Sequence, residues 1–292
     1  MSTSSTLLGL ISAAVEDACE TNDAVGAVLS GGIDSSSVVC VARRQGHDLP
    51  TFTGWYDEGD AFDERAYARL AAGHEHHEIL ITPEDIVENF DDMMAAFAPP
   101  FQGAGAMGQY IVAKYVASQG IRTVLSGEGG DELFGGYARL MIVAGHPRPD
   151  GYENYQLPAG YPRTLEDALA WDLAALPDLL AVDDQACGAW GLNAVAPMTD
   201  ERVVDFVLAQ PARDRVGKHM LRDAVRGIVP DAILDRTDKK GMPAPFVKWG
   251  QGPLRDFFLD RIGYVPDPGK PWDRQWWYDL TGNARVPEEA AA

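Results

Sequence analysis

Basic residues and cysteines are both scarce in this 292-residue chain. It carries 24 lysines and arginines against 44 aspartates and glutamates, for a formal net charge of −20. A field of that sign repels polyanions, which argues against nucleic acid as the main partner. The three cysteines, Cys19, Cys40 and Cys187, are widely spaced and form no CxxC pair. They argue against disulfides, a zinc site or a sulfur carrier, and they indicate a reducing compartment.

Long apolar runs are also absent, and none approaches the length of a membrane span. The N-terminal stretch MSTSSTLLGLISAAVEDACE lacks a basic segment and mixes acidic residues into an amphipathic pattern, unlike a secretory signal. The sequence therefore predicts no membrane association and a cytoplasmic location. With 46% hydrophobic residues, the chain has the composition of a globular protein of one large or two ordinary domains.

The chain is organised around residues 24–34, AVGAVLSGGID, which three serines follow directly. The β-prone run Val25–Leu29 predicts a strand buried on both faces, and a helix begins near Asp34. Between them, Gly31 and Gly32 permit positive φ angles and a close ligand approach. The serine hydroxyls and the free N–H groups of the first helical turn would face one spot, which suits a phosphate chain.

Asp34 decides how this motif is interpreted. Its carboxylate would repel a bare phosphate, so phosphate binding fits best with Mg²⁺ between the two. The simpler alternative is an ordinary strand–turn–helix corner with Asp34 as a helix cap. The motif alone leaves both interpretations open, because short glycine motifs also occur by chance.

Strands and helices alternate along the first half of the chain. Helices are predicted over residues 1–22, 36–44, 63–72, 84–97 and 107–118, and strands over 25–29, 50–55, 78–81 and 122–125. This alternation predicts an α/β fold with a doubly wound parallel sheet. Ligands bind beyond the carboxyl ends of such strands, so the turns at Ser30 and Ser126 would share one pocket.

The strand signal disappears after about residue 145. Residues 146–162 are typical of an irregular connection, and helices are predicted over 165–180, 185–192, 200–208 and 218–228. We therefore expect an α/β core over residues 1–145 and a mostly helical region over 146–292 that completes the site. Three tryptophans near the C-terminus are interpreted as packing anchors, namely Trp272, Trp276 and Trp277.

A second acidic turn follows the fourth predicted strand, in the stretch LSGEGGDELFGGY that begins at Leu125. It carries Glu128, Asp131 and Glu132 beside the same pocket. Three acids next to a phosphate site are costly unless a metal neutralises them or one takes part in proton transfer. A capped helix start with solvated acids would account for Glu132 but poorly for all three.

Together the two motifs closely resemble the synthetase domain of the asparagine synthetase family, one of the ATP-pyrophosphatases that form AMP and pyrophosphate. The resemblance covers roughly residues 20–260 and includes matches in the family's order at Thr51–Gly54, Asp63-Glu64, His76–Glu78, Pro197 with Asp200, Lys218–Arg222 and Arg236–Pro245. It implies an adenine nucleotide α-hydrolase fold and an ATP-dependent carbon–nitrogen ligase.

The resemblance also implies roles for individual residues. The ATP pyrophosphate would be held by Ser30, Gly31, Gly32, Asp34 and Ser35. The adenine and ribose would be lined by Leu29, Ser126 and Gly127, with the backbone near Thr53. Mg²⁺ would be bound by Asp34 and Asp131. Glu128 stands at the position of the family's general base, and Lys239 stands at the position of the lysine that stabilises pyrophosphate. The adjacent Lys240 leaves open which of the two lysines matches the family position.

The implied chemistry explains these residue types. A small-molecule carboxylic acid attacks the α-phosphorus of ATP, which needs Mg²⁺ and cations on the departing pyrophosphate. Ammonia or another amine then attacks the acyl-adenylate, and a carboxylate such as Glu128 takes the proton that the amine loses. Lys239 stabilises the developing negative charge. Lys218 and Arg222 could assist with pyrophosphate, but the pattern favours a solvated helix face.

Two departures from the family concern the substrates. The family's N-terminal glutaminase domain has no counterpart here, which predicts use of free ammonia, another amine or a separate glutaminase subunit. Asn193 and Val195 stand where the family has an acidic residue and an arginine expected near the aspartate substrate. Without that carboxylate clamp, an acid other than aspartate is expected. The sequence leaves a homo-oligomer open.

Three alternative functions stay open. The first is a lactam- or isopeptide-forming synthetase, although the β-lactam branch has tyrosine where this chain keeps Glu128. The second is a non-catalytic nucleotide-binding relative, which the intact acids and Lys239 disfavour. The third is a tRNA-modifying relative, which the net charge and the missing CxxC disfavour.

Overall fold

The structure is a computed structural model that describes residues 2–97, 103–148, 150, 152, 155–158, 160–238, 244–269 and 275–282. Its centre is a five-stranded sheet in the order β3-β2-β1-β4-β5, and all four neighbouring pairs are parallel. The strands are β1 Val25–Val28, β2 Thr51–Trp55, β3 His76–Leu80, β4 Thr123–Leu125 and β5 Asn193–Val195. The predicted α/β class with a parallel sheet is confirmed.

Helices account for most of the other described residues. They are α1 Thr3–Glu20, α2 Ile33–Arg44, α3 Arg65–Ala71, α4 Pro83–Ala96, α5 Gly105–Ser118, α6 Gly130–Phe134, α7 Ala138–Val143, α8 Leu165–Ala174, α9 Leu176–Gly188, α10 Glu201–Leu208, α11 Ala212–Arg215, α12 His219–Val225, α13 Asp231–Leu234, α14 Phe246–Gly250, α15 Arg255–Ile262 and α16 Gln275–Thr281. Short 3₁₀ turns cover Asp60–Phe62, Pro197–Thr199 and Val216–Lys218. In the described part of the chain, no helix combines the length and apolarity that a membrane crossing requires.

Local signals explain where several helices begin. Ser2 caps α1 by accepting a hydrogen bond from the Ser5 N–H. Thr82 and Asp85 form a reciprocal capping box at α4. Pro83 occupies the first turn, where the backbone N–H that proline lacks would have no partner within the helix. Pro177 likewise lies in the first turn of α9, so the helix predicted over residues 165–180 is two helices that meet at Ala175.

Two apolar cores cover the two faces of the sheet. On one face α1, α2 and α3 contribute buried residues such as Val15, Val41 and Ala68. On the other face α4, α5 and α9 contribute Ile86, Val116 and others. Strand order runs outward from β1 in one direction and from β4 in the other, which creates a topological switch point between them. The switch point is where such sheets bind ligands.

The prediction that strands end by residue 145 is wrong. β5 pairs with β4 in parallel, with Asn193 opposite Thr123 and Val195 opposite Leu125. Three residues, Asn-Ala-Val, are too short to show alternation or an apolar run, so the strand exists because β4 offers it a hydrogen-bonding edge. Residues after 145 therefore contribute to the sheet itself.

The C-terminal tryptophans that the structure describes are packing residues, as expected. Trp276 and Trp277 lie in α16 within the second core, and Trp276 packs edge-on against Phe258 at 5.6 Å between ring centroids. Trp272 lies outside the described residues.

Candidate active site

The turns that follow β1 and β4 pack directly against each other. We call residues 29–32 the β1 turn and residues 126–129 the β4 turn. A Cβ added to Gly127 would come within 2.8 Å of the Asp34 carbonyl carbon. One added to Gly130, just after the β4 turn, would come within 2.9 Å of Asp34 Cβ and closer still to its carboxyl group. Glycine at both positions therefore permits the approach, and the two predicted motifs lie at one edge of the sheet.

This close contact gives a first testable result. Gly130→Ala is expected to destabilise the fold by about 1–3 kcal/mol and to weaken nucleotide binding, because the new methyl group overlaps the Asp34 carboxyl group. Gly9→Ala is the control, since a Cβ at Gly9 in α1 meets nothing within 4 Å and alanine favours helix by up to about 1 kcal/mol. Urea unfolding of both variants measures the difference. Equal stability of the two would show that the turns can separate without cost.

The β1 turn is held by its own serines. The Ser30 N–H donates to Ser35 Oγ at 3.1 Å, and the Gly32 N–H donates to Ser30 Oγ at 3.3 Å. Gly31 has a φ of 78°, and a Cβ there would lie 2.8 Å from the Ala68 N atom. This turn therefore requires glycine for both its conformation and its packing.

Two of the predicted nucleotide-binding residues have buried side chains. Leu29 is fully buried, and the Thr53 hydroxyl donates to the Leu29 carbonyl oxygen. Only their backbone atoms are available to line a ligand. Ser126 is also nearly buried, and its N–H donates to the Val195 carbonyl oxygen at 2.9 Å, which ties the β4 turn to β5.

Asp34 and Asp131 share a buried cation. Lys218 Nζ forms ion pairs with Asp34 Oδ2 and, at 2.6 Å, with Asp131 Oδ1. The Lys218 side chain is only 7% exposed. Burial alone would lower the pKa of Lys218, but the two carboxylates outweigh it and hold that pKa above its ordinary value. Asp34 is not the helix cap, because Gly32 occupies the cap position of α2.

The expectation of a solvated helix face at Lys218 is wrong. Gly217 and Lys218 have φ angles of 72° and 60°, so the chain leaves the helical path just before α12. That break accompanies the burial of Lys218 beside the two carboxylates. Arg222 is half-buried and donates from Nε to the Gly217 carbonyl oxygen at 3.3 Å, which supports the same turn. In the sequence, the glycine directly before Lys218 was the signal that could have indicated this break in the helical path.

Glu128 lies in the β4 turn with its side chain half-buried. Burial, and then to a lesser degree the charges of Asp183, Glu132, Asp131 and Asp34, together raise its pKa to about 8. A carboxylate of that basicity accepts a proton readily near neutral pH. The geometry therefore places a general base near Asp34 and Asp131, the two carboxylates that are predicted to bind a metal.

Two further acids lie near the turn. Glu132 is buried and accepts a hydrogen bond from the Tyr137 hydroxyl, which rules out the alternative of a solvated acid at this position. Asp183 lies in α9, and burial raises its pKa to about 6. No local pattern marks Asp183, because it reaches the turn only through the packing of α9.

Lys239 and Lys240 lie outside the described residues. The residues just before them are anchored to the β1 turn through Arg236. Its Nη1 donates to the Gly31 carbonyl oxygen at 3.1 Å, its Nη2 donates to Glu64 at 2.7 Å, and its Nε donates to Asp238 at 3.0 Å. The start of the RTDKKG segment is therefore close to the predicted phosphate site.

The two residues that depart from the family pattern, Asn193 and Val195, lie at opposite ends of β5. Val195 ends the strand beside Ser126, at the carboxyl edge. Asn193 begins it, and its side-chain amide donates to Asn22 at 3.4 Å. Only Val195 is therefore on the side of the sheet where the two turns meet.

Asp34 and Asp131 fit a magnesium ion that arrives with a phosphate. Among residues that the structure describes, no group of three or more His, Cys, Asp or Glu is arranged to hold a metal. Mg²⁺, however, commonly binds through one or two carboxylates plus phosphates and waters. The two carboxylates already share one cation, Lys218, so the place accommodates positive charge.

Comparison with known proteins agrees with the motifs. The family model described as asparagine synthase matches residues 6–150 and 157–266. Asparagine synthetase [glutamine-hydrolyzing] of Rattus norvegicus is 28% identical over 244 residues, 78% of this chain and 41% of that protein. Asparagine synthetase B [glutamine-hydrolyzing] of Escherichia coli (strain K12) is 26% identical over 263 residues, 82% of this chain and 41% of that protein.

A solved structure, NMN synthetase from Francisella tularensis, is similar at a TM-score of 0.41 and 16% identity, covering 99% of this chain and 90% of that one. The chain spans about 41% of the length of the rat and bacterial relatives. The family model covers far more than half of the chain. This chain belongs to the asparagine synthase family.

Proposed function

We propose that the chain is an ATP-dependent amide synthetase that joins a carboxylic acid to ammonia or another amine. The observation that carries this proposal is the meeting of the β1 and β4 turns, with Asp34 and Asp131 around one buried ammonium and Glu128 beside them. Family membership supports the same reaction class.

The first half-reaction activates the acid. The substrate carboxylate attacks the α-phosphorus of ATP, forming the acyl-adenylate and releasing pyrophosphate. Ser30, Gly31, Gly32 and Ser35 hold the pyrophosphate through backbone N–H groups and hydroxyls, while Leu29, Thr53, Ser126 and Gly127 line the adenosine through mainly backbone atoms. Asp34 and Asp131 would hold Mg²⁺, which would neutralise charge on the departing pyrophosphate.

The second half-reaction forms the amide bond. The amine attacks the acyl carbonyl, Glu128 accepts the proton that the nitrogen loses, and AMP leaves as the C–O bond breaks. Lys239 would stabilise the developing negative charge, and Arg236 supports this assignment because it ties the preceding segment to Gly31.

The acid is proposed to be one other than aspartate. An arginine at the position of Val195 could clamp a carboxylate at the site edge, and valine cannot. Asn193 lies at the opposite end of β5, so its replacement does not bear on the substrate directly. Ammonia, another amine or a separate glutaminase subunit would supply the nitrogen.

Pyrophosphate release tests the proposal. The protein is incubated with ATP and a panel of carboxylic acids, with ammonium, a primary amine or glutamine, each with and without Mg²⁺. Release that requires both Mg²⁺ and one acid, and an amide product that requires the amine, is expected. Asp34→Asn is the control for contaminating ATPase. ATP binding without release under every combination would contradict the proposal and favour a non-catalytic nucleotide-binding relative.

A further inference from the structure

Arg215 is a buried arginine to which the proposed reaction gives no role. It is the last residue of α11, and only 7% of it is exposed. Its Nε donates to the Leu133 carbonyl oxygen at 2.9 Å, near the end of α6. In the part of the chain that the structure describes, no carboxylate pairs with Arg215, and burial lowers its pKa. The guanidinium therefore serves the end of α6, although a buried charge without a counter-ion is costly to keep.

Residues 215–218 lie along the end of α6, and we call them the α6 clamp. The Gly217 N–H donates to the Gly135 carbonyl oxygen at 2.9 Å. A Cβ added to Gly135 would lie 2.8 Å from Val216 Cα, so glycine permits this close contact. The clamp therefore holds the end of α6 by a side-chain hydrogen bond, a backbone hydrogen bond and close packing.

The α6 clamp ends in the acidic site. Lys218, its last residue, pairs with Asp34 and, at 2.6 Å, with Asp131. Asp131 is in the first turn of α6, and its carbonyl oxygen accepts the Gly136 N–H at 2.9 Å. A Cβ added to Gly136 would overlap both Asp131 Oδ1 and Lys218 Cε. Because α6 is only five residues long, a shift of its end also moves Asp131 relative to Lys218.

We propose that Arg215 is a positioning residue that, by fixing the end of α6, keeps Asp131 and Lys218 in contact. The inference rests on the proposed function, in which Asp34 and Asp131 hold Mg²⁺ beside the pyrophosphate of ATP. Arg215 acts through the backbone of α6 and of the clamp, and it touches neither ATP nor the ion. Without its guanidinium, the buried Leu133 carbonyl oxygen loses its donor from the clamp, and α6 is held less firmly.

The Lys218 ammonium group reports on this contact without nucleotide or activity. Protein labelled with ¹⁵N in its lysine side chains is followed by NMR, and the Lys218 signal is assigned by its loss in Lys218→Met. A buried, ion-paired ammonium group exchanges its hydrogens slowly with water. Arg215→Met is expected to speed this exchange about tenfold, because α6 and the clamp separate more often. An exchange rate that is equal in wild type and Arg215→Met would overturn the inference.

Three further variants control the NMR experiment. Arg213→Met makes the same substitution on the same helix, but the Arg213 side chain is 83% exposed, so the Lys218 exchange rate should not change. Arg215→Lys keeps a cationic donor and should give a rate between those of wild type and Arg215→Met. Arg215→Gln loses the same bond but has an amide that can bind water. It replaces Arg215→Met if that variant does not fold, and the same rise in rate is expected.

ATP binding separates the failure of this inference from that of the proposed function. Arg215→Met should weaken binding about tenfold with Mg²⁺ present and by less than about threefold without it. If the Lys218 exchange rate rises but the gain in affinity from Mg²⁺ is unchanged, Arg215 serves stability alone and the inference is overturned. If the rates follow the expected order but the wild type neither binds ATP nor forms an amide, the positioning stands and the proposed function fails.

Discussion

Glu128→Gln is expected to slow amide formation strongly while acid-dependent ATP–pyrophosphate exchange continues. Glutamine is nearly isosteric but cannot take a proton from the attacking amine, whereas activation of the acid does not use this group. Losing a positioned general base costs typically about 10²–10⁴-fold in rate. The expected drop is therefore of that size in amide yield, with exchange changed by no more than about threefold.

The measurement separates the two half-reactions on one protein. Exchange of labelled pyrophosphate into ATP, dependent on the carboxylic acid, reports activation, and chromatography of the amide reports transfer. Asp184→Asn is the control, because it removes an exposed carboxylate near the site without touching the β4 turn. Loss of both half-reactions in Glu128→Gln would assign Glu128 to ATP or magnesium binding. Retention of both would remove it from the chemistry.

The pH dependence of amide transfer tests the same assignment. Since burial raises the pKa of Glu128 to about 8 in the nucleotide-free protein, the carboxyl is largely protonated at neutral pH in that state. Bound magnesium would lower this pKa by its positive charge. The acidic limb of amide formation in the wild type should therefore lie at or below pH 8.

The sheet and both acidic turns could be predicted from the sequence because their signals are local. The run Val25–Leu29 is apolar and β-prone, the following glycines mark a turn, and the same sequence of signals recurs before Ser126. Parallel strands then place both turns at one edge. The structure confirms this arrangement, with Gly127 and Gly130 in contact with Asp34.

The rest of the site depends on contacts that no local pattern encodes. β5 is three residues long and shows no periodicity of its own. It is stabilised by pairing with β4, where Val195 lies opposite Leu125 from a distant part of the chain. Asp183 is close enough to raise the pKa of Glu128 only because α9 packs against β5. The burial of Lys218 was missed because a lysine near a helix start is usually solvated, and only the positive φ angles of Gly217 and Lys218 reverse that expectation.

The charge of Lys218 is expected to contribute strongly to stability. Lys218→Met should lower the free energy of unfolding at pH 7 by about 2–4 kcal/mol, because it leaves two carboxylates close together without their cation. The lower part of the range allows for the 18% and 25% exposure of the Asp34 and Asp131 side chains. Methionine keeps the length of the aliphatic stem, so the loss reports charge more than packing.

Lys248→Met is the matched control in urea unfolding at pH 7. Lys248 pairs with Glu58 at 2.6 Å, but its side chain is 57% exposed, so the expected loss is about 0–1 kcal/mol. The loss of unfolding free energy in Lys218→Met should become smaller on acidification, because protonated carboxyl groups need no cation. Millimolar Mg²⁺ should restore more stability to Lys218→Met than to wild type, since the ion can take the place of the lost ammonium between Asp34 and Asp131. Equal losses in the two variants, or no difference in their response to Mg²⁺, would contradict a shared buried cation at this edge and would leave Lys218 as an ordinary helix-start lysine.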